Sequence, residues 1–503
     1  MQVFNFRQLA TRSALLLGLG LTVGSCEKAI NVDPTTSISS DKGFVTKEDA
    51  TAGLLGAYDA VQSGNYDGLA YPSMVGLIGQ EMRHVGTFTT TYGAVGQNQV
   101  LPDNIQVGNT WNTIYDAIAR ANYVIQQTDR ISDPAFVDKT KVIAEARALS
   151  AFHYMNLLAL WGGTPQGYGY ADGLGVPLRL VPITDIVAAT TAIPRSSEAE
   201  VATAIRADLD FAIANLSGTT GSRITKSTAQ ALRARFELRM RNYADALSFA
   251  KLVPATSNFT GAAAELTGTN APDAIWQLFF STTDGNSYAF YWYPSSGGGR
   301  REFSPGSALA AAHPAGDKRL PINVVPATTV VTIAGVPYTL RANTTQKFYR
   351  VGTNDDFFNI VRYAEVVLTV AEAAAQTGDL TTALAQLNII RVRAGLLPYS
   401  TGTPPPPTVP VTPAVAIYLA PTTADPTGQK RIVQDVLLQR RLELTYEAQY
   451  WFDLRRTNAV QSTLGSSNPA TPNAWNQPFR NLFPIPNREV TLTNGLIAQN
   501  PGF

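Results

Sequence analysis

The sequence predicts a mainly α-helical protein: a tetratricopeptide-like scaffold of paired helices, with long irregular loops and a small β-containing insertion. Three observations predict this fold class. Apolar side chains recur at helical spacing in several segments. Two pairs of these segments repeat small residues twelve positions apart. The stretches between the helical segments are long and rich in Gly, Pro, Thr and Asn, which is typical of functional or disordered loops.

Single helices are marked by periodicity and by their end signals. Apolar residues recur every three or four positions over residues 201–216, and Ser197 with Glu200 forms a capping box ahead of them. Residues 141–161 are apolar on most sides, which predicts a central helix. The glycines at 162–163 are expected to end it.

The paired helices are predicted from alanines twelve residues apart. Ala234 precedes Ala246 by this distance, and Ala371 precedes Ala383. Small residues at this spacing let two antiparallel helices pack closely, as in the 34-residue tetratricopeptide repeat. Further helical hairpins are expected over residues 111–161 and 429–458.

The largest irregular stretch is an insertion at about residues 254–346. Strand-like pieces occur in it at residues 275–280, 329–333 and 337–341. The rest of residues 41–503 is expected to form one helical domain around it.

The N-terminus predicts an export signal with a lipid anchor. Arg7 and Arg12 precede an apolar stretch at 14–23, which is too short to span a bilayer, and small residues lead to Cys26. We expect a lipoprotein signal peptide at 1–25, fatty acylation (palmitate) of Cys26 and a tether at 26–40. The alternative is a plain secretory signal with an incidental cysteine.

Composition excludes several classes of protein. A net charge of +1 gives no field for holding a nucleic-acid backbone. One cysteine allows neither an intramolecular disulfide nor a cysteine-based metal site, and the three histidines lie far apart in sequence. We therefore expect no metal and no cofactor.

An ordered set of motifs runs from the cysteine motif to the C-terminus, although no single motif is specific. Its members are AGLLGAY (52–58), WNTIYDAI (111–118), EARA (145–148), LWGGTP (160–165), RYAEVVL (362–368), AEA (371–373), LNIIRVRAG (387–395), RRLEL (440–444), WFDLRR (451–456), FPIP (483–486) and QNPGF (499–503). With this set the chain resembles the SusD/RagB family of Bacteroidetes outer-membrane nutrient-binding lipoproteins.

The resemblance implies a binding protein and not an enzyme. Family members sit on the cell surface over a SusC-like TonB-dependent outer-membrane transporter and pass it oligosaccharides or, in some branches, peptides. The scaffold would face the transporter, and the loops would bind the ligand. Three alternatives stay open: a peptide or other non-sugar nutrient as ligand, a surface glycosidase, and a pure interaction scaffold.

Aromatic residues in the insertion are the first candidate ligand contacts, because aromatic rings pack against the C–H faces of sugars. If the segment is a strand, Tyr291 and Tyr293 point one way while Phe290 and Trp292 point the other. The alternative is a strand buried in the insertion's own core. The candidates are Trp276, Tyr288, Tyr291, Trp292 and Tyr293.

The loop before residue 111 supplies a second set of candidates. Arg83, Tyr92 and Asn98 offer one charge, one aromatic ring and one amide. Elsewhere, His153 is expected to pack in the core, and Glu365 and Glu372 to form salt bridges with helix arginines. The adjacent Asp355 and Asp356 are expected to point apart, unlike the facing carboxylates of a glycosidase.

Overall fold

A computed structural model of the protein describes residues 44–183, 191–256, 259, 271–333, 336–340, 342–400, 416–419, 422–468 and 473–503. The predicted signal peptide, the tether and Cys26 lie outside these residues. The domain boundaries and the lipid anchor therefore stay predictions.

Helices dominate the described residues, as the sequence predicts. They are α1 (Lys47–Gln62), α2 (Ala70–Ile78), α3 (Ala94–Gly96), α4 (Ile105–Arg130), α5 (Lys139–Trp161), α6 (Glu198–Asn215), α7 (Lys226–Arg239), α8 (Tyr243–Lys251), α9 (Tyr288–Trp292), α10 (Leu309–Ala312), α11 (Leu320–Asn323), α12 (Tyr363–Gln376), α13 (Leu380–Arg393), α14 (Gln429–Glu443), α15 (Tyr450–Arg456), α16 (Val460–Leu464) and α17 (Asn487–Leu492).

The strands are short and pair two by two. They are β1 (Met82–His84), β2 (Leu174–Pro177), β3 (Arg195–Ser197), β4 (Ala274–Leu278), β5 (Phe303–Pro305), β6 (Val330–Ile333), β7 (Val336–Thr339), β8 (Phe358–Arg362), β9 (Tyr399–Ser400) and β10 (Ile417–Tyr418). The antiparallel pairs are β1–β5, β2–β3, β4–β8 and β6–β7, and β9–β10 is parallel. The strand-like pieces of the insertion are confirmed as β4, β6 and β7.

The local helix signals are confirmed. The Ser197 hydroxyl accepts from the Glu200 amide at 3.2 Å, and the Glu200 carboxylate accepts from the Ser197 amide at 2.7 Å, so the capping box opens α6. Helix α5 ends at Trp161, and most of its residues are buried. His153 in this helix is fully buried, and burial lowers its pKa to about 3, so the imidazole is a neutral core group.

Both alanine pairs lie in packed helical hairpins. Ala234 on α7 and Ala246 on α8 are buried, as are Ala371 on α12 and Ala383 on α13. The Asp379 carboxylate caps α13 by accepting from the Thr382 amide at 3.0 Å. The tetratricopeptide-like scaffold is therefore confirmed.

Buried ion pairs tie these hairpins to their neighbours. Glu365 accepts from Arg235 Nε at 2.7 Å, and Glu372 accepts from Arg456 at 2.7 Å. All four side chains are almost fully buried. The prediction that arginines pair with these two glutamates is confirmed. Removing one partner of such a pair leaves an uncompensated buried charge, which costs about 3–5 kcal/mol.

Helix α2 is the longest of the described helices that lie where the sequence predicts only irregular structure. The sequence predicts a loop before residue 111, yet α2 spans Ala70–Ile78 within it. Every residue of α2 is buried, so its sequence shows no amphipathic period. Its apolar character reflects complete burial, and burial on all sides removes the polar stripe that marks a surface helix.

Candidate functional site

A two-stranded ribbon brings the two sequence-predicted ligand regions together. Strand β1 from the early loop pairs with β5 from the insertion, with Met82 opposite Pro305, Arg83 opposite Ser304 and His84 opposite Phe303. The Val85 amide extends the pairing by donating to the Glu302 carbonyl at 2.9 Å. Two regions far apart in sequence thus share one surface.

The Glu302 carboxylate fixes the loop that follows β1. It accepts from the amides of Thr87 at 2.9 Å and Phe88 at 3.2 Å, from the Thr87 hydroxyl at 2.9 Å and from Arg300 Nε at 2.8 Å. His84 Nε2 lies 3.1 Å from it. Burial alone would raise the carboxyl pKa, but these hydrogen bonds hold the pKa of Glu302 below its usual value. The buried carboxylate is therefore charged and fully engaged.

The engaged carboxylate supports a surface that we call the aromatic platform: Phe88, Tyr291 and Arg300. The Phe88 and Tyr291 rings stack with centroids 6.1 Å apart and planes at 23°. The Arg300 guanidinium lies 4.1 Å from the Phe88 ring centroid and donates to the Thr87 hydroxyl at 3.0 Å. Both rings are half-buried, and the Arg300 side chain is 41% exposed.

Core residues hold the aromatic platform from below. Phe303 stacks on Tyr291 at 5.6 Å, and Tyr92 meets Tyr291 edge-on at 6.4 Å. Both supporting rings are buried. Burial raises the pKa of the Tyr291 phenol, so its hydroxyl stays protonated at neutral pH and can donate a hydrogen bond. The platform thus offers an apolar plate, a donor and a cation to solvent.

Most of the predicted insertion residues lie in the core. The segment at 288–292 is the helix α9 and not a strand, so Tyr288 and Trp292, four residues apart, face inward together. Trp292 packs on Tyr446 at 4.7 Å, and Tyr288 stacks on Phe348 at 4.4 Å. The expectation that Tyr288 and Trp292 are exposed ligand contacts is corrected.

Trp276 and Tyr293 are also buried, so the prediction that they contact a ligand at the surface is corrected as well. Trp276, on β4, is fully buried and meets Phe152 edge-on at 5.1 Å. Tyr293 follows α9 with 1% of its surface exposed. The alternative stated for this cluster, burial in a core, fits these residues. Tyr291 alone of the five insertion candidates reaches solvent, on the half-exposed side of α9.

The early-loop candidates divide in the same way. Tyr92 and Asn98 are buried with 3% and 2% exposure, so they do not face a ligand; Tyr92 supports the platform rings from below. Asn98 adopts a left-handed backbone with φ of 53°. Arg83 is exposed on β1, but side chains alternate along a strand, so it lies on the face opposite to His84 and Phe303, which contact Glu302 and Tyr291.

Sequence reasoning missed Phe88, Arg300 and Glu302. The only local signal is the glycine run at 297–299, which precedes Arg300 and allows a tight turn. At Gly299 a Cβ would lie 2.1 Å from the Tyr293 carbonyl oxygen, so the turn requires glycine there. The contact between Glu302 and residues 84–88 spans more than two hundred residues, which no local pattern reveals.

The described residues hold neither a metal-binding cluster nor a membrane-spanning helix. In this part of the chain, no group of three or more His, Cys, Asp or Glu side chains is placed to hold a metal ion. No helix in the same ranges has both the length and the apolar character needed to cross a bilayer.

Two family models match the chain in separate regions. A model of the SusD family matches residues 327–503, and a model described as starch-binding associating with outer membrane matches residues 52–238. Both regions are thus similar to SusD-family proteins. The first region contains the α12–α13 hairpin and the C-terminal motifs, and the second contains β1 and the Phe88 loop.

Similar proteins match the chain over nearly its full length. SusD-like protein P38 of Formosa agariphila is 24% identical over 96% of this chain and 98% of its own. A solved SusD superfamily structure from Bacteroides vulgatus has a TM-score of 0.71 at 19% identity, over 91% of this chain and 99% of that one. A laminarin binding SusD-like protein has a TM-score of 0.68 at 19% identity, over 92% and 100%. At this identity the structural likeness shows the fold alone.

Proposed function

We propose that this protein is a cell-surface lipoprotein that binds an oligosaccharide at the aromatic platform and delivers it to a SusC-like TonB-dependent outer-membrane transporter. The observation that carries the binding proposal is the β1–β5 pairing, which joins the two loop regions into one exposed surface. The family description, starch-binding associating with outer membrane, supports both the ligand class and the location.

The chemistry of the aromatic platform suits a sugar. The half-buried rings of Phe88 and Tyr291 present apolar faces on which the C–H face of a pyranose packs. The Tyr291 hydroxyl and the free N–H groups of Arg300 can bind sugar hydroxyls at the edge of the rings. Because Glu302 fixes Arg300 in advance, little side-chain entropy is lost when a ligand binds.

The Glu302 carboxylate favours binding over hydrolysis. A glycosidase needs two carboxyl groups that face the same glycosidic bond. Glu302 is fully buried and engaged by loop amides, Thr87 and Arg300, so it lies beneath the surface and not beside a bound sugar. We therefore propose that the protein is not an enzyme.

Calorimetric titration tests the proposed site. Purified protein is titrated with laminarin oligosaccharides, because a fold relative is named as laminarin binding, and with a panel of other glycans and peptides. We expect saccharide binding that Tyr291→Ala weakens at least tenfold. Phe279→Ala is the matched control. Phe279 directly follows β4, is 43% exposed and is not part of the β1–β5 ribbon.

Two outcomes would contradict this assignment. Peptide binding without any saccharide binding would select the alternative ligand class. A loss of saccharide affinity in Phe279→Ala with none in Tyr291→Ala would move the site to the surface around β4.

The anchor and the transporter are tested in the native bacterium. We expect Cys26→Ala to release the protein from the outer membrane, because acyl chains are the proposed attachment. We expect the wild-type protein to co-purify with a large TonB-dependent barrel from detergent-solubilised outer membranes. Retention of Cys26→Ala on the membrane in the absence of such a barrel would contradict the lipid anchor.

A further inference from the structure

The charge around the aromatic platform is one-sided. Arg300 is paired with Glu302, whose carboxylate is buried. Arg301 is exposed, and within the described ranges it forms neither an ion pair nor a side-chain hydrogen bond. Because the adjacent Glu302 carboxylate is already paired with Arg300, Arg301 adds an unpaired positive charge beside the stacked rings.

Arg301 is held in an unfavourable backbone conformation. Its φ is 55°, in the left-handed region that disfavours residues with a Cβ. Hydrogen bonds fix both neighbours: the Arg300 amide donates to the Phe290 carbonyl at 2.6 Å, and the Glu302 amide donates to the Tyr291 carbonyl at 2.8 Å. Glycine would fit this position without strain, yet the chain has an arginine there.

The position of Arg301 relates it directly to the rings. Its two neighbours are hydrogen-bonded to the backbone of Phe290 and Tyr291, so Arg301 lies beside the ring-bearing side of α9.

We propose that the aromatic platform selects saccharides that carry carboxylate or sulfate groups, with Arg301 binding an anionic group beside the ring stacked on Tyr291. This inference rests on the proposed saccharide-binding function. Guanidinium groups bind carboxylate and sulfate oxygens in paired hydrogen bonds, which hydroxyl groups cannot match. Uronic-acid and sulfated glycans are therefore the expected ligand classes.

Titration with three probes tests the selection by charge. The probes are trigalacturonate, a sulfated galactan tetrasaccharide and neutral laminarihexaose. We expect at least one acidic probe to bind tenfold or more tightly than the neutral one in low salt, with the difference shrinking in 0.5 M sodium chloride. The better acidic probe then identifies carboxylate or sulfate as the recognised group.

Arg301→Gly separates recognition from folding. Because glycine tolerates the positive φ, we expect an unchanged or higher melting temperature together with an affinity for the acidic probe about tenfold lower. Its affinity for the neutral probe should not change. Arg301→Gln is compared with Arg488→Gln as the matched control, since Arg488 is also exposed but lies on α17.

Three results would overturn the inference. One is equal or tighter binding of the neutral probe, and another is an acidic affinity that Arg301→Gly leaves unchanged. In either case the proposed function would still stand if the wild-type protein binds the neutral probe and Tyr291→Ala does not. The third is the absence of binding by any saccharide, which would remove the proposed function as well.

Discussion

The rings of helix α9 point to two sides with different roles, an inward side and an outward side. Tyr288 and Trp292 face inward and stack on core rings, while Tyr291 faces the ribbon and reaches solvent. The same short aromatic sequence thus provides both core packing and a candidate ligand surface. Aromatic density alone therefore does not mark a binding site; the burial of each ring decides its role.

The largest effect that distinguishes the two sides is on stability. We expect Trp292→Ala to lower the free energy of unfolding by about 3–5 kcal/mol, because it leaves a cavity beside Tyr446. Tyr291→Ala should cost less, because that ring is partly exposed. Urea denaturation measures both variants. Equal losses in the two variants would contradict the assigned sides.

Glu302 supports the outward side, and substituting it should have the next largest effect on stability. We expect Glu302→Gln to cost about 1–3 kcal/mol, because a neutral amide cannot accept all the hydrogen bonds that reach the buried carboxylate. The aromatic platform should lose saccharide affinity in the same variant. Glu48→Gln, on the exposed surface of α1, is the control and should change neither quantity in urea denaturation or calorimetry.

The pH dependence of stability should have opposite signs on the two sides. Beside inward-facing Tyr293, burial raises the pKa of Asp356 from 3.8 to about 7, although the amides of Arg350 and Tyr349 lower it. The folded state then keeps a proton that the unfolded state has lost, so this contribution to stability falls as pH rises from about 4 to about 7. Glu302 has a lowered pKa, so its contribution is lost as pH falls below the usual glutamate range.

Unfolding free energies measured across this pH range, with Asp356→Asn and Glu302→Gln, separate the two contributions. We expect Asp356→Asn to flatten the decline toward neutral pH and Glu302→Gln to flatten the decline toward acid. The same sign in both variants would contradict the assigned environments of the two carboxyl groups.

The smallest expected effect is that of the Tyr291 hydroxyl. Tyr291→Phe keeps the ring that stacks on Phe88 and removes only a partly exposed hydroxyl. We expect a stability change within about 0.5 kcal/mol and a modest loss of saccharide affinity, measured by denaturation and calorimetry. A loss as large as that of Tyr291→Ala would mean that the hydroxyl, and not the ring, binds the ligand.

The scaffold could be predicted from the sequence because its signals are local. The capping box at Ser197, the end of α5 and the alanine pairs each depend on residues within one or two turns. His153 and the partners of Glu365 followed from the same local reasoning, since a polar group on an apolar helix must be buried with a partner or neutralised.

The candidate site could not be predicted to the same depth. Five residues of α9 are too few to show a helical period, so the sequence favours a strand and predicts the wrong rings at the surface. Phe88 and Glu302 meet only through the β1–β5 pairing, which is non-local. The sequence indicates the early loop and the insertion as regions, but only the tertiary contacts single out Tyr291 from the candidates.

The β1–β5 ribbon also has a consequence for how the protein is made. Its strands join His84 to a carboxylate 218 positions later, so no N-terminal fragment ending before the insertion can complete the Phe88 loop. Under the proposed function, a nascent polypeptide would therefore bind no glycan until more than half of it had emerged and the ribbon had formed.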